Sequence, residues 1–424
     1  MKVLIFGLGL NQGGVGSAIF FAKQKDQVRV TDLKNKEVLK PSLDQLKNYR
    51  IEYVLGKHRY EDIDWADLII KNPAVKPDDL YIEYATKQGK RVTTDMGIFL
   101  QYVKPSQIIG VTGTKGKSTT ASLIYETLAI HLRGEKMRLH LGGVVLAGNI
   151  GKSVLDTIPW IDQDTLVVLE ISSFQLEAFD QHQISPKYAV VTNITPDHLN
   201  YYKNMDEYVT AKKIIAKYQT KNDFLFIRKD SDFVSKAKII RFSKDDLPKD
   251  FHPKLLGEHN LENIAAAYAV CKTLGIALQG LALQALENFP GVEFRLQKVF
   301  DKDGIKIYND TAATSPEAGI KALETFPGCI LICGGMNKGI DYTEYAKAVS
   351  KFAKKVYFLE GDAMRAFEVN PYNNLEKLLR DVKKEAKEGD IILFSPAATS
   401  FNLFQNEFDR GRKFNRAVEK VFGE

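Results

Sequence analysis

The sequence feature that most constrains this chain is an apolar stretch that runs directly into a glycine-rich loop with a Lys-Ser pair. Residues 110–119 read GVTGTKGKST, and two isoleucines precede them. A strand that enters a helix through such a loop presents backbone amides at the helix N-terminus, where they can bind phosphate. Lys117 is placed to neutralise β- and γ-phosphates, and the Ser118 hydroxyl to bind magnesium. Because strict Walker spacing requires glycine where Val111 stands, the sequence predicts a variant phosphate-binding loop, with a purely structural turn as the alternative.

Strand and helix patterns along the rest of the chain predict three consecutive α/β units. At 424 residues the chain is too long for one hydrophobic core. Short apolar strands alternate with helical periodicity from the first residues to the last, as in parallel sheets. We place the units at residues 1–105, 106–291 and 292–424, because the first pattern ends near Pro105 and residues 288–291 read NFPG, a turn composition.

Composition and charge exclude several classes of protein. Hydrophobic residues make up 44% of the chain and charged residues 26%, which is ordinary globular usage and excludes wholesale disorder. The net charge of +6 is small and comes without a dense basic block, so we expect no nucleic-acid partner. The sequence contains no run of about 18 apolar residues, so it predicts no membrane-spanning helix. Three cysteines without CxxC spacing support neither disulfides nor a zinc ribbon, so we expect a soluble cytoplasmic protein.

The amino-terminal glycines form a second candidate nucleotide site. Residues 7–16 read GLGLNQGGVG and resemble a dinucleotide-binding fingerprint, with Asp32 at the end of the next predicted strand. Gln12 occupies the position of the third glycine, so a dinucleotide, another nucleotide diphosphate and a structural turn all remain open. A nicotinamide-dependent dehydrogenase is the competing function from a different class, but it leaves residues 110–119 unexplained.

Polar residues at the ends of two further predicted strands extend the phosphate site. Glu170 ends the buried-type strand Thr165–Glu170, where a P-loop fold places its second magnesium ligand. The next strand continues into residues 192–198, which read TNITPDH, and so places His198 beside the same crevice. A histidine with a purely structural role is the alternative.

A predicted helix that begins after Asn204 contributes a candidate lysine. At 100° per residue Lys212 falls on the apolar face with Tyr208 and Ile215, whereas Lys213 lies at the edge of that face. A lysine in a partly apolar site loses its charge more readily, and a neutral amine can capture carbon dioxide. A lysine that only extends its ammonium to solvent is the alternative.

Taken together, these segments resemble the Mur ligases of peptidoglycan synthesis. The matching segments are residues 110–119, 148–151, 169–177, 192–198, 208–212, 257–263 and 395–400. The resemblance spans nearly the whole chain. It implies a Rossmann-like amino-terminal domain for a UDP-linked substrate, a central P-loop ATPase domain and a Rossmann-like carboxyl-terminal domain for the incoming amino acid.

The resemblance also assigns site residues. It implies that ATP is bound by Gly113, Thr114, Gly116, Lys117, Ser118, Thr119, Asn263, Arg295 and Asp310. The UDP substrate would contact Asp32, Asn72, Asn149 and His198, and glutamate would contact Thr314, Lys338, Ser400 and Phe401. Two Mg²⁺ ions are implied, one held by Ser118 and Glu170 and the other by His198 and a carbamate on Lys212. The catalytic residues would be Lys117, Glu170, His198 and Lys212.

Within the family, the chain is most similar to members that add glutamate to UDP-N-acetylmuramoyl-L-alanine through an acyl phosphate. We expect a monomeric enzyme of peptidoglycan precursor synthesis, and therefore of cell shape and division. Members that use D-glutamate carry the sequence DSKATN where residues 310–315 of this chain read DTAATS, so Ala312 stands in the position of their lysine. They also carry an aromatic residue where this chain has Glu407. We expect D-glutamate as the substrate, with L-glutamate as the alternative. A P-loop switch without ligase chemistry and folate polyglutamylation are the remaining alternatives.

Overall fold

The computed structural model of the chain describes residues 1–10, 12–134, 143–150, 153–197, 201–255, 257–337, 340–363, 371–400, 403–404 and 406–423. Within these ranges, three sheets are accompanied by helices. The chain divides into two compact units, the first formed by Met1–Pro253 with Glu258–Phe289 and the second by Lys254–Gly257 with Pro290–Glu424. The first unit contains two of the sheets, and the second unit contains the third.

The first sheet is parallel, with the strand order β3-β2-β1-β4-β5 among the described residues. Its elements are β1 (Lys2–Phe6), α1 (Gln12–Lys23), β2 (Gln27–Asp32), α2 (Lys36–Leu46), β3 (Ile51–Leu55), α3 (Tyr60–Trp65), β4 (Leu68–Lys71), α4 (Leu80–Lys87), β5 (Arg91–Thr93) and α5 (Asp95–Phe99). The central strand β1 is apolar and buried from its second residue onward, as expected inside a parallel sheet. The amino-terminal glycine segment lies between β1 and α1, as in a Rossmann-like opening.

The second sheet is also parallel, and its described strands run in the order β11-β10-β9-β6-β8-β7. Its elements are β6 (Ile108–Thr112), α6 (Lys117–Gly134), β7 (Gly143–Gly148), β8 (Thr165–Glu170), α7 (Leu176–His182), β9 (Tyr188–Val191), α8 (Met205–Lys217), β10 (Phe224–Arg228), β11 (Lys238–Phe242), α9 (Glu258–Thr273) and α10 (Leu281–Glu287). Short 3₁₀ turns occupy Pro105–Gln107, Val154–Trp160 and Lys244–Asp246. Since β6 lies between β8 and β9, the segments that follow these three strands meet at one edge of the sheet.

The third sheet has the order β12-β13-β16-β14-β15 in the described part of the second unit. Its elements are β12 (Gln297–Lys302), β13 (Ile305–Asn309), α11 (Pro316–Thr325), β14 (Cys329–Gly334), α12 (Thr343–Phe352), β15 (Ala353–Leu359), α13 (Leu375–Glu385), β16 (Ile391–Phe394) and α14 (Glu407–Phe422). The expected parallel pairing holds for β13, β14, β15 and β16, whereas β12, which the sequence pattern does not predict, pairs antiparallel with β13. The two strands are joined by a tight turn at Asp303-Gly304, where both residues have positive φ.

The α/β class with three sheet-centred domains is confirmed. Each sheet lies within one of the three predicted sequence ranges, while the boundaries at residues 105 and 291 themselves stay predictions. The three cysteines are buried free thiols, Cys271 in α9 and Cys329 with Cys333 in β14, and burial raises the pKa of each to about 12. None of the helices in the described ranges is long and apolar enough to cross a membrane.

Candidate active site

The phosphate-binding loop lies between β6 and α6, and its glycines are required by close contacts. Gly113 has a φ of +146° and Gly116 a φ of +83°. A Cβ atom on Gly113 would lie 1.9 Å from the Thr192 hydroxyl, and one on Gly116 would lie 2.2 Å from Oδ1 of Asn263. Both the backbone conformation and the space therefore exclude other residues. Helix α6 begins at Lys117, so the loop ends at a helix N-terminus as predicted.

Two residues that follow β9 hold this loop in place. The Thr114 amide donates to the Asn193 carbonyl (2.8 Å), and the Lys115 amide donates to Oδ1 of Asn193 (2.9 Å). Nδ2 of Asn193 and the Thr192 hydroxyl both donate to the Lys115 carbonyl. Sequence reasoning singled out this segment for His198 and missed the clamp. The available signal was the pair of polar residues directly after a buried strand.

Lys117 places its ammonium against the loop itself. Nζ donates to the Gly113 carbonyl (3.0 Å) and to the Thr114 carbonyl (2.9 Å). These bonds hold the ammonium against the loop backbone beside the N-terminus of α6, where its positive charge can attract an anion. Asn263 of α9 lies on the other side of Gly116, with Oδ1 accepting from the Thr120 hydroxyl at 3.4 Å. The structure thus brings the predicted ATP contacts of the first unit together.

Glu170 ends β8 as predicted, and one of its carboxylate oxygens is left available. Its side chain is 2% exposed, and Nδ2 of Asn149 donates to Oε1 at 3.4 Å. Oε2 is buried without a hydrogen-bond donor in the described part of the chain. A buried carboxylate oxygen of this kind is costly unless it meets a cation.

These residues fit a magnesium ion. Mg²⁺ is commonly held by one or two carboxylates together with water and substrate phosphates, so Glu170 and the Ser118 hydroxyl are a suitable set. Among the described residues no three His, Cys, Asp or Glu side chains gather into a metal cluster. His198, the predicted ligand of the second ion, lies outside the described residues.

Lys212 is buried beside the phosphate loop. It is 1% exposed, and Nζ donates to the Gly113 carbonyl at 2.8 Å and lies 4.7 Å from the centre of the Tyr208 ring. Burial, and then the nearby positive charge of Lys117, lower the pKa of Lys212 to about 7. The predicted apolar face of α8 is confirmed, and Lys213 is exposed. The Tyr208 hydroxyl lies 3.1 Å from the Thr114 hydroxyl, which connects this face to the loop.

The predicted UDP-substrate residues fall in two places within the first unit. Asp32 accepts from the Gly9 amide and from the Lys34 amide, both at 2.8 Å. Nδ2 of Asn72 donates to the Gly7 carbonyl at 3.2 Å. Asp32 and Asn72 therefore both hold the glycine segment after β1. Asn149 lies beside Glu170 instead.

The second unit contains the remaining predicted ATP residues. Asp310 follows β13, and its carboxylate accepts from the Ser395 hydroxyl (2.8 Å) and the Leu296 amide (3.2 Å). Burial outweighs these bonds and raises the pKa of Asp310 to about 7. Arg295 stands between Phe294 and Leu296, whose φ values of +66° and +43° are left-handed, so the backbone on both sides of Arg295 has an uncommon conformation.

The predicted glutamate residues are only partly described. Thr314 is half-buried in the segment between β13 and α11, and Ser400 is buried after β16. Lys338 and Phe401 lie outside the described residues. The segment before Ser400 is fixed, because the Thr399 amide and hydroxyl both donate to the Met336 carbonyl.

Comparisons with known proteins give one consistent result. Residues 1–94 match the family described as Mur ligase MurD-like, N-terminal domain, and residues 111–252 match the Mur ligase middle domain. A relative from Roseiflexus sp. (strain RS-1) is 36% identical over 99% of this chain and 98% of its own length. A relative from Borreliella burgdorferi (strain ZS7) is also 36% identical, with the same coverage of both chains. Both are named UDP-N-acetylmuramoylalanine--D-glutamate ligase.

Solved structures show the same fold at lower identity. The UDP-N-acetylmuramate-alanine ligase MurC of Thermotoga maritima gives a TM-score of 0.62 at 22% identity and covers 99% of both chains. The MurF ligase of Thermotoga maritima in complex with ADP gives a TM-score of 0.57 at 18% identity, covering 94% of this chain and 96% of its own. The two family models and the full-length relatives agree, and the chain belongs to the Mur ligase family.

Proposed function

We propose that this chain is an ATP-dependent ligase that joins D-glutamate to UDP-N-acetylmuramoyl-L-alanine in peptidoglycan precursor synthesis. The observation on which the proposal rests is the match, at 36% identity and over nearly the full length of both chains, to relatives named for that reaction. The amino-terminal glycines and the phosphate loop are both accounted for by this function. A dehydrogenase would leave the loop at residues 110–119 without a role.

D-glutamate is favoured over L-glutamate. The similar proteins from Roseiflexus, Borreliella and Treponema pallidum all have D-glutamate in their names. Ala312 provides no ammonium for a substrate carboxylate, so we assign that role to Lys338. The hydroxyls of Thr314 and Ser400 and the Phe401 side chain complete the proposed glutamate contacts.

The chemistry is carboxylate activation followed by amide formation. The terminal carboxylate of the UDP substrate attacks the γ-phosphorus of ATP, and the bond from that phosphorus to the β-phosphate oxygen breaks. ADP departs, and the UDP substrate becomes an acyl phosphate. The glutamate amine attacks the acyl carbon, loses a proton and expels inorganic phosphate. Lys117 offsets the charge that develops on the transferred phosphoryl group. Asn263, Arg295 and Asp310 are the proposed positioning contacts for ATP.

Two magnesium ions are part of the proposal. Ser118 and Glu170 would hold one, and Oε2 of Glu170, which meets no hydrogen-bond donor among the described residues, supports that role. His198 and a carbamylated Lys212 would hold the other. Magnesium supplies neutralisation of phosphate charge and orientation of the reacting oxygens.

The carbamate on Lys212 is supported by the lysine's surroundings. With a pKa of about 7, much of the amine is neutral at physiological pH. A neutral amine adds to carbon dioxide, forms an N–C bond and releases one proton, which leaves a carboxylate on the nitrogen. Lysine is thereby converted from a cation into an oxygen ligand that suits Mg²⁺.

The remaining parts of the proposal concern the substrate and the setting. Asp32, Asn72 and Asn149 are proposed to bind the UDP substrate, the first two by shaping the glycine segment that they hold. We propose domains at residues 1–105, 106–291 and 292–424. We also propose that the protein acts as a monomer in the cytoplasm.

Phosphate release tests the proposed function directly. The protein is incubated with ATP, Mg²⁺ and UDP-N-acetylmuramoyl-L-alanine, together with either pure D-glutamate or pure L-glutamate. We expect release only when all substrates are present, and with D-glutamate as the preferred enantiomer. Turnover with L-glutamate alone would reverse the enantiomer assignment, and phosphate release that ignores both enantiomers would remove the ligase assignment. Lys117→Ala should abolish release, while the exposed control Lys221→Ala should retain it.

A further inference from the structure

The carboxyl-terminal unit contains a buried arginine that none of the roles above uses. Arg410 lies in the first turns of α14 and is 1% exposed. Its guanidinium donates three hydrogen bonds. Nε donates to the Thr311 hydroxyl (2.8 Å), one terminal nitrogen donates to the Thr311 carbonyl (2.9 Å), and the other donates to the Ala398 carbonyl (3.0 Å).

The three bonds join two separate loops. Thr311 lies in the loop after β13, between Asp310 and Thr314, and Ala398 lies in the loop after β16 that leads to Ser400. β13 and β16 are neighbouring parallel strands, so both loops leave the same edge of the sheet. One guanidinium therefore connects the loop that carries Asp310, a proposed ATP contact, to the loop that leads to Ser400, a proposed glutamate contact.

Burying the charged guanidinium of Arg410 costs free energy, which its hydrogen bonds must offset. Burying a guanidinium is unfavourable unless its N–H groups are satisfied, and here hydroxyl and carbonyl oxygens satisfy them. Burial lowers the pKa of Arg410 to about 10, so the group keeps its charge at neutral pH. The Thr311 hydroxyl is used twice, because it accepts from Arg410 and donates to the Glu407 carbonyl at 3.2 Å. A planar fork with several fixed donors is suited to this task, whereas a lysine ammonium is not.

The same end of α14 also restrains the backbone around Arg295. A Cβ atom on Gly411 would lie 2.4 Å from the Phe294 ring, so Phe294 packs directly on the helix backbone. The Ala312 amide donates to the Phe294 carbonyl at 3.0 Å, which ties this segment to the loop after β13. The loop after β16 is itself held in a left-handed conformation at Ala397, with a φ of +56°.

We propose that Arg410 is a positioning residue that couples the recognition of ATP to the recognition of the incoming amino acid. It does so by fixing the loop after β13 relative to the loop after β16. The inference rests on the proposed function, because that function assigns Asp310 to ATP and Ser400 to glutamate. If the fork is lost, the two loops can shift independently, and both ligands lose affinity together. The UDP substrate, whose proposed contacts lie in the first unit, is not affected.

Steady-state kinetics with three variants test this coupling. Arg410→Lys keeps the charge but loses the fork, and Thr311→Val removes the hydroxyl while keeping the side-chain shape. Each should lower kcat/KM for both ATP and glutamate by about 10-fold to 100-fold, the scale expected from a small misplacement of reacting groups. The KM for UDP-N-acetylmuramoyl-L-alanine should stay within about 3-fold of the wild-type value. The matched control is Arg412→Lys, two residues along the same helix and exposed, which should behave as wild type.

Two further measurements separate positioning from general loss of structure. The effects of Arg410→Lys and Thr311→Val should be strongly non-additive in the double variant, because both break the same contact. Thr311→Ser, which keeps the hydroxyl, should restore most of the activity lost in Thr311→Val. If Arg410→Lys does not fold, the Thr311→Val and Thr311→Ser pair still decides the question.

Specific outcomes would overturn the inference. A wild-type-like Arg410→Lys, or a loss confined to only one of the two ligands, would show that Arg410 does not couple them. An equal rise in the KM of all three substrates would indicate general damage. Failure of the proposed function is distinguishable, since the wild-type protein would then show no glutamate-dependent phosphate release.

Discussion

At the scale of single residues, the candidate site is marked by side chains whose charge is opposed by burial. Lys212 and Asp310 illustrate the two directions, since burial lowers the pKa of the lysine and raises that of the aspartate, each to about 7. Such groups cost stability and are concentrated at functional sites in proteins generally. Replacing either residue should therefore change the activity and the free energy of unfolding in different ways.

Replacing Lys212 tests the carbamate. Lys212→Ala should lower kcat by at least about 100-fold, the scale on which loss of one charge-stabilising group acts. Acetate should restore part of the activity, because a free carboxylate can occupy the vacated position. Lys213→Ala is the matched control and should remain active, since Lys213 is exposed on the same helix. An active Lys212→Ala protein, or native mass spectra without a carbon dioxide adduct on the active enzyme, would contradict the carbamate.

Replacing Asp310 tests the cost of its burial. The folded-state pKa of about 7 lies above the ordinary value of 3.8, so the folded protein retains a proton that the unfolded chain releases between these pH values. The contribution of Asp310 to stability therefore falls as the pH rises through that window. Asp310→Asn should gain stability relative to wild type between about pH 5 and pH 8, measured as the difference in urea midpoint, while losing activity.

An exposed aspartate in the same unit provides the control for Asp310. Asp301 is paired with Lys298 at 2.7 Å, which holds the pKa of its carboxyl below the ordinary value. Asp301→Asn should therefore show no such gain. An Asp310→Asn protein whose advantage over wild type is independent of pH would contradict the raised pKa.

At the scale of elements, the first two sheets are connected by a nearly buried ion pair. Lys71 at the end of β4 donates to the Val75 carbonyl (3.0 Å) and to Glu177 of α7 (2.9 Å). The exposed fraction is 2% for the Lys71 side chain and 24% for that of Glu177. Lys71 is followed directly by Asn72, so the pair also fixes the segment that is proposed to contact the UDP substrate.

The unequal exposure of this pair predicts unequal effects of the two single substitutions. Glu177→Met leaves a buried ammonium with one carbonyl partner and should destabilise the first unit by about 3 kcal/mol or more. Lys71→Met leaves a carboxylate that water can reach and should cost clearly less. Urea unfolding of both variants gives the comparison, and a larger loss in Lys71→Met would contradict the expected order. Lys217→Met, which breaks a more exposed pair with Asp180, should cost about 1 kcal/mol or less.

Elements with a strong local pattern could be predicted from the sequence. The strand Thr165–Glu170 is predicted with the boundaries that the structure has, because it is a short apolar run between turns. β12 was missed because its sequence QKVFDK has no regular strand-like alternation, although the Asp303-Gly304 turn that joins it to β13 was an available hairpin signal.

The residues of the candidate site could likewise be predicted only where a local sequence pattern marks them. Lys117, Glu170 and Lys212 follow from local patterns in a strand, a loop or a helix face. The Asn193 clamp and the contact of Arg410 with Thr311 join residues that are 78 and 99 positions apart. No local periodicity records such contacts, so only the folded structure reveals them.

At the scale of the whole molecule, the described residues form two compact units, each with core clusters of its own. One core cluster in the first unit includes residues of both of its sheets, among them Val3 and Ile70 of the first sheet and Val167 of the second. The second unit has its own clusters around its sheet. Units with independent cores generally unfold in separate transitions.

Thermal unfolding should therefore show two transitions that respond differently to ligand. The proposed contacts of UDP-N-acetylmuramoyl-L-alanine, Asp32, Asn72 and Asn149, all lie in the first unit. At a concentration of 100 Kd the substrate should stabilise that unit by about 2.7 kcal/mol. Differential scanning calorimetry with and without the substrate checks this, and a shift confined to the transition of the second unit would contradict the assigned contacts.

The distribution of the buried cysteines gives each unit its own internal reporter. Cys271 lies in the first unit, and Cys329 and Cys333 lie in the second. Since only the thiolate reacts, and the pKa of each thiol is about 12, the folded protein is protected from alkylating reagents at neutral pH. Labelling of a cysteine requires its unit to open. The mass added at each cysteine therefore records which of the two units has opened and how often, without any engineered probe.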